Sequence, residues 1–197
     1  MNNTQEIRAQ YDADTITVYQ AYGKAIALPA TKVNQFAPPF SFQRMTWIKP
    51  SYLWLMERSN WATKPQQEFI LGIKIKRAYW EYALSLGVLT HPDLAIYTDG
   101  LDWEQKFSQA KVHIQWDPER TLRGAKLQVR SIQVGISRHL IEQYNNEWIV
   151  AIDDLTPLTR KISQLKKQGK YKEAKQLLPK EQVYVLPDEL QKRIGVR

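Results

Sequence analysis

The 197-residue chain contains no cysteine. A disulfide scaffold, a thiol nucleophile and a cysteine zinc site are therefore all excluded. Histidine is scarce. His91, His113 and His139 are not at metal-ligand spacing and none lies in H-E-x-x-H, so each reads as a surface or core-edge side chain. No G-x-G-x-x-G and no G-x-x-x-x-G-K-[ST] occurs, which removes the usual dinucleotide and P-loop fingerprints. The lack of G-x-S-x-G leaves a serine triad without support. There is no run of about 18 apolar residues, so no membrane span is expected. The first residues, Met1 to Arg8, have no apolar stretch of signal-peptide type. The expectation is a soluble, cytoplasmic protein.

The chain is long enough to bury a sizeable core and short enough for one domain, or one domain with an appendage. Its net charge of +8 is unevenly placed. Residues 160–197 hold 11 Lys+Arg against 4 Asp+Glu, a net of +7. Residues 1–159 hold 17 against 16, a net of +1. The expected organisation is an α+β core domain over 1–159 and a basic helical C-terminal extension over 160–197, packed on the core or trailing from it. Such an extension suits a polyanion such as nucleic acid; the plainer reading is a solvated helix face.

Thr15–Tyr22 is β-branched and aromatic, and reads as a strand. Lys24 to Gln35 reads as a helix despite Pro29. Short strands are expected at Arg44–Ile48 and Trp148–Ile152. Pro50 and Ser51 open a helix over Tyr52–Arg58. Glu68–Lys76 alternates as a half-buried strand. Arg77–Leu86 and Arg138–Glu147 read as helices, and 91–109 as loop. Val112–Trp116 is a strand, Asp117–Gly124 a polar excursion, and Lys126–Ile136 a second alternating strand. Helices follow at Pro157–Lys167 and Tyr171–Leu178, with an edge strand near Val183–Leu186. The sum is α+β: a mixed, mostly antiparallel sheet of about five or six strands with flanking helices.

Arg44 to Trp61 is the segment richest in recognition chemistry. Trp47, Trp54 and Trp61 fall seven residues apart, with Arg44, Lys49 and Arg58 between them. Tryptophan fills cores or stacks on planar ligands; arginine and lysine recognise anions. The plainer reading sends at least two of these indoles into the core. Asp117 and Glu119 flank Pro118 and could face one cleft for acid–base work; the alternative is a capped turn. Arg130 to Gly135 carries Arg130 and Gln133 on a strand, and Gly135 would admit close approach to the backbone.

Ile7–Tyr11, Val18–Tyr22, Arg44–Ser51, Arg58–Trp61, Gln115–Arg120 and Arg130–Gly135 together resemble the uncharacterised family catalogued as domain of unknown function 4291. The resemblance covers nearly the whole chain and implies one domain, but no activity. Tyr19-Gln-Ala-Tyr-Gly-Lys-Ala-Ile-Ala, followed by Phe36, is similar in layout to the first strand and helix of ADP-ribosyltransferase-like proteins. Gln20 stands where those carry histidine, Tyr22 where they carry threonine, and no glycine precedes Phe36. That resemblance implies NAD as the cofactor, gripped at the strand end.

The leading expectation is an enzyme acting on a nucleotide or nucleic acid, by ADP-ribosyl transfer if the resemblance holds. Its binding residues would be Arg8, Tyr19, Gln20, Tyr22, Arg44, Trp47, Lys49, Ser51 and Arg58, and its catalytic residues Glu119, Gln133 and Arg130. A non-catalytic nucleic-acid-binding module is the alternative, followed by a structural or regulatory interaction domain. The first predicts that Arg44, Lys49 and Glu119 share a concave pocket. The second predicts an open basic groove continuous with residues 160–180.

Overall fold

Thr15–Tyr22 is a strand, and it pairs antiparallel along its whole length with Phe69–Lys76. The computed structural model describes residues 4–196. Its elements run β1 (Arg8–Ala9), β2 (Thr15–Tyr22), α1 (Lys24–Val33), β3 (Thr46–Ile48), α2 (Tyr52–Ser59), β4 (Phe69–Lys76), α3 (Arg77–Ser85), β5 (Gly87–Leu89), α4 (Gly100–Ser108), β6 (Val112–Arg120), β7 (Lys126–Ile136), α5 (Ile141–Gln143), β8 (Ile149–Asp154), α6 (Thr156–Lys167), α7 (Tyr171–Gln176), β9 (Gln182–Val183) and α8 (Asp188–Ile194). A π-helical turn at Tyr144–Trp148 follows α5. The class is α+β with mostly antiparallel pairing. A three-stranded sheet has the order β2-β4-β8, a four-stranded sheet the order β3-β7-β6-β5, and β1 with β9 forms a ribbon. Among the described strands only β5 and β6 pair parallel, and an isolated parallel bridge links Gln5 to Arg130.

The three-stranded sheet is covered on both faces. Ile16, Val18, Leu71, Ile73 and Ile75 join the larger core, which continues through Trp80, Val134, Tyr144 and Trp148. Tyr19 and Ile70, on the other face, join a smaller core with Tyr52, Leu55, Met56, Ile162 and Ala174. β4 is thus buried on both sides at its N-terminal end, where Ile70 and Gly72 are covered, and only Lys74 and Lys76 reach solvent. A half-buried strand is expected from its alternation; the helices α2, α6 and α7 supply the second layer. Gly72 fits there because a Cβ would stand 2.8 Å from Leu155 Cδ1.

Three segments differ from the sequence expectation. The stretch 91–109, read as loop, contains α4. That helix buries no residue fully; Trp103 and Phe107 pack against the core, Asp99 caps the helix by accepting the Asp102 N–H (2.8 Å), and Trp103 Nε1 donates to the Leu89 carbonyl (2.8 Å). The polar excursion at Asp117 is instead strand: β6 runs on to Arg120 through Pro118. A proline is tolerated at an irregular register, and the β6–β7 register shifts between Pro118 and Arg120. Helix over Arg138–Glu147 is confined to α5, with the π-helical turn starting at Tyr144.

After α2, three consecutive non-glycine residues take left-handed backbone: Asn60 (φ 48°), Trp61 (φ 56°) and Ala62 (φ 63°). Each such residue costs roughly 1–2 kcal/mol. The turn is fixed by Trp61 N–H to the Met56 carbonyl (2.9 Å) and by Thr63 N–H to the Ser59 carbonyl (3.3 Å). Residues beyond 160 add Ile162, Ala174, Tyr184, Leu186 and Ile194 to the buried set. Among the described residues no helix is long and apolar enough to cross a membrane.

The buried Asn145 side chain serves as a backbone substitute for the connector after α1. It accepts from Phe36 N–H (2.7 Å) and donates to the Phe36 carbonyl (3.1 Å). Asn145→Ala strands both groups, so urea denaturation is expected to show a loss of about 2–3 kcal/mol.

Candidate functional site

At Tyr19 the two large sheets meet. Its N–H donates to the Lys49 carbonyl at 2.6 Å, the bridge that joins β2 to the residue following β3. Beyond it the strands part, β2 staying with β4 and β3 with β7. Side chains close the fork. Gln20 Nε2 reaches Thr46 Oγ1, Tyr22 Oη (2.9 Å) and the Trp47 carbonyl (3.3 Å), while its Oε1 accepts from the buried Tyr144 hydroxyl (2.9 Å). Tyr22 and Thr46 hydroxyls lie 3.0 Å apart. Burial pushes the Tyr22 phenol up to about 12, against the pull of the Thr46 hydrogen bond and the charge of Arg44.

The fork opens into a cavity of about 590 Å³. Arg44, Trp47 and Lys49 enter from the β3 strand and its flanks, Trp54 and Arg58 from α2, and Gln115, Asp117 and Gln133 from β6 and β7. Each position follows from local rules. Ser51 Oγ accepts the Trp54 N–H (3.2 Å) and so caps α2. The i, i+4 spacing then sets Trp54 and Arg58 on one helix face. Gln115 and Asp117 share a face of β6 by strand alternation, and Gln133 is the cross-strand partner of Gln115. Trp47 pairs in register with Gly135, and a Cβ on Gly135 would meet Met45 Sδ at 2.7 Å and the Trp47 ring at 3.0 Å. The open backbone at Gly135 is therefore filled by the protein's own indole.

The electrostatics are those of an anion site with one fixed carboxylate. Gln133 Nε2 donates to Asp117 Oδ2 (2.7 Å) and Gln115 Nε2 to Asp117 Oδ1 (3.0 Å). Arg44 and Arg58 are exposed at the rim. Lys49 is the buried cation, 7% exposed, with Nζ 5.1 Å over the Trp54 ring and 3.4 Å from the Trp47 carbonyl. Burial, with the Arg58 charge adding to it and Asp117 opposing both, lowers its pKa to about 7.

The structure thus brings together Gln20, Tyr22, Arg44, Trp47, Lys49, Arg58 and Gln133 from the sequence-predicted residues. The others lie elsewhere. Arg8 is exposed on β1, paired with Glu6 at 2.9 Å. Tyr19 is fully buried edge-on to Tyr52. Ser51 is spent as the helix cap. Glu119 accepts its own neighbour's N–H, from Arg120 (2.7 Å). It also lies near Glu181, whose carboxyl is raised to about 8 by burial, with the Glu119 charge adding to that. Arg130 does not line this cavity but an adjoining hollow, which shares Gln115 and Asp117 with it and adds Thr90, His91 and Asp93. The cavity's carboxylate is Asp117, two residues before Glu119; reading β6 through Pro118 would have placed Asp117 beside Gln115. Trp47, Trp54 and Trp61 are all half-buried, whereas the fully buried indoles are Trp80 and Trp148. Trp47 lies against Gly135, Lys49 over Trp54 and Lys166 over Trp61, so the first two rings serve the site and the third the α6 face.

Lys49 weakens the native state in a pH-dependent way. Below pH 7 the fold holds a buried charge. Between about 7 and 10.5 the unfolded chain binds the extra proton, so stability rises with pH through that window. Lys49→Met is expected to raise stability by about 2–4 kcal/mol at pH 6. The gain should fade toward pH 10.5, as read by denaturation at each pH.

Comparison with curated proteins returns no match. Residues 6–184 match the family described as domain of unknown function (DUF4291). That match spans the cavity and every element that builds it, and the chain belongs to this family.

Proposed function

We propose that the cavity binds a nucleotide and that the protein is an enzyme acting on it, with ADP-ribosyl transfer from NAD as the chemistry. The observation that carries this is the convergence of Arg44, Lys49 and Arg58 with Trp47 and Trp54 around one clasped carboxylate, Asp117. The cations suit a pyrophosphate. The indoles and Tyr22 suit a base or nicotinamide ring. The volume of about 590 Å³ is in the range of small-ligand sites.

In the proposed reaction the ribose C1′–N bond breaks and its electron pair leaves on nicotinamide. An acceptor oxygen or nitrogen bonds C1′ and gives up its proton. Asp117, held by the Gln115 and Gln133 amides, stabilises the positive charge developing on the ribose, the kind of fixed electrostatic help that dominates most catalysis. Lys49, about half protonated at pH 7, becomes fully protonated beside a bound phosphate, so binding takes up a proton. Nucleotide affinity should therefore fall as pH rises from 6 to 8.5.

Thermal shift and calorimetry with NAD, ADP-ribose and AMP test the reading. Binding is expected, weakened about 10-fold or more in Arg58→Ala. Asp117→Asn should keep binding but lower nicotinamide release by about 10²-fold. Absence of a shift with every nucleotide overturns the proposal. Binding without nicotinamide release removes the transfer chemistry and leaves a nucleotide site.

A further inference from the structure

Resting on the nucleotide reading of the cavity, we propose that it is the closed end of a longer track for a single-stranded polynucleotide. The terminal nucleotide lies in the fork, and the strand runs across α2 toward the α6–α7 face.

A second hollow, of about 580 Å³, adjoins the cavity and shares Trp54, Arg58 and Asp117 with it as lining. It adds Lys64, Arg120 and Lys126. Its acidic members are Asp117 and Glu57, and Glu57 is already matched by Arg120 at 3.2 Å. The β6–β7 turn closes the far wall and leads to α7, where the Arg123 guanidinium lies 4.4 Å from the Tyr171 ring centre. Beside it, Lys166 Nζ lies 4.3 Å over Trp61. Lys166 also feels the Glu57 charge, which ties α6 to the same hollow. On α6, α7 and the turn between them, Arg160, Lys161, Lys167, Lys170, Lys172 and Lys175 are all exposed.

This order of groups matches one chemistry. A row of cations follows a chain of phosphates, and rings set between them offer faces on which successive bases stack. Rings reach bases in that way only where the strand is unpaired. The left-handed turn at Asn60–Ala62 gives the geometry a reason. It is a strained route between α2 and β4, and it places Asn60 and Lys64 on the hollow while carrying Trp61 to Lys166.

Fluorescence anisotropy with labelled single-stranded DNA and RNA octamers, the matching mononucleotide and a duplex of the same length tests the track. The octamer should bind at least 10-fold tighter than the mononucleotide at moderate salt, and tighter than the duplex. Lys64→Ala, Arg123→Ala and Lys126→Ala combined should weaken the octamer about 10- to 100-fold, flatten its salt dependence and leave mononucleotide binding unchanged. These side chains are at the surface, and an unchanged melting temperature checks the fold. Tyr171→Ala should weaken the octamer about 10-fold while Tyr171→Phe does not. Equal affinity for octamer and mononucleotide, equal affinity for duplex, or indifference to the triple variant overturns the track. Octamer binding that ignores Arg44→Ala overturns the placement of its end in the cavity. No mononucleotide binding by the intact protein points instead to failure of the cavity reading itself.

Discussion

One backbone hydrogen bond sets the geometry of this molecule: Tyr19 N–H to the Lys49 carbonyl, 2.6 Å. It is where the three-stranded sheet touches the four-stranded one. Were pairing to continue, β2 and β3 would zip together and no cavity would exist. Beyond the bridge the Gln20 amide, not a backbone N–H, donates to the Trp47 carbonyl, and it also bonds the Thr46 hydroxyl. A buried polar network must be satisfied throughout. Here Tyr22 and Tyr144 complete it, so the fork is held open by the same rule that elsewhere holds sheets closed.

The bridge also explains Lys49. Its carbonyl is committed to Tyr19, so its side chain is fixed at the bottom of the fork with Trp54 above and Arg58 and Asp117 beyond. A core would be more stable with an apolar residue there. A fold that keeps a lysine in this position gives up stability for a group whose charge responds to what arrives beside it.

Much of this was legible in the chain. β-branched runs, a Pro–Ser helix start and alternating strands gave β2, α2, β4 and β7 nearly to the residue. The clustering of Arg44, Lys49 and Arg58 with Trp47 pointed to the cavity's cationic wall. What could not be read was long-range. The extension of β6 past Pro118, which brings Asp117 rather than Glu119 to the cavity, depends on a register irregularity with β7. The second burial of β4 depends on helices about 90 residues later in the chain. α4 starts at Asp99-Gly100, a pair that is turn chemistry in sequence, whereas in the fold Asp99 caps the helix by accepting the Asp102 N–H. Ser51 looked like a ligand contact because a serine that caps a helix and one that binds a ligand are the same in sequence.

The pairing of Trp47 with Gly135 bears on how wide the cavity is. The indole lies against bare backbone, so the width of the cavity is stored in one missing carbon on β7 rather than in any polar contact. The width of the cavity and the charge of its wall are therefore separable here. The first resides in a residue of β7, the second in side chains from the β3 region and α2. A relative could narrow or widen its aperture at position 135 while keeping the same set of cations.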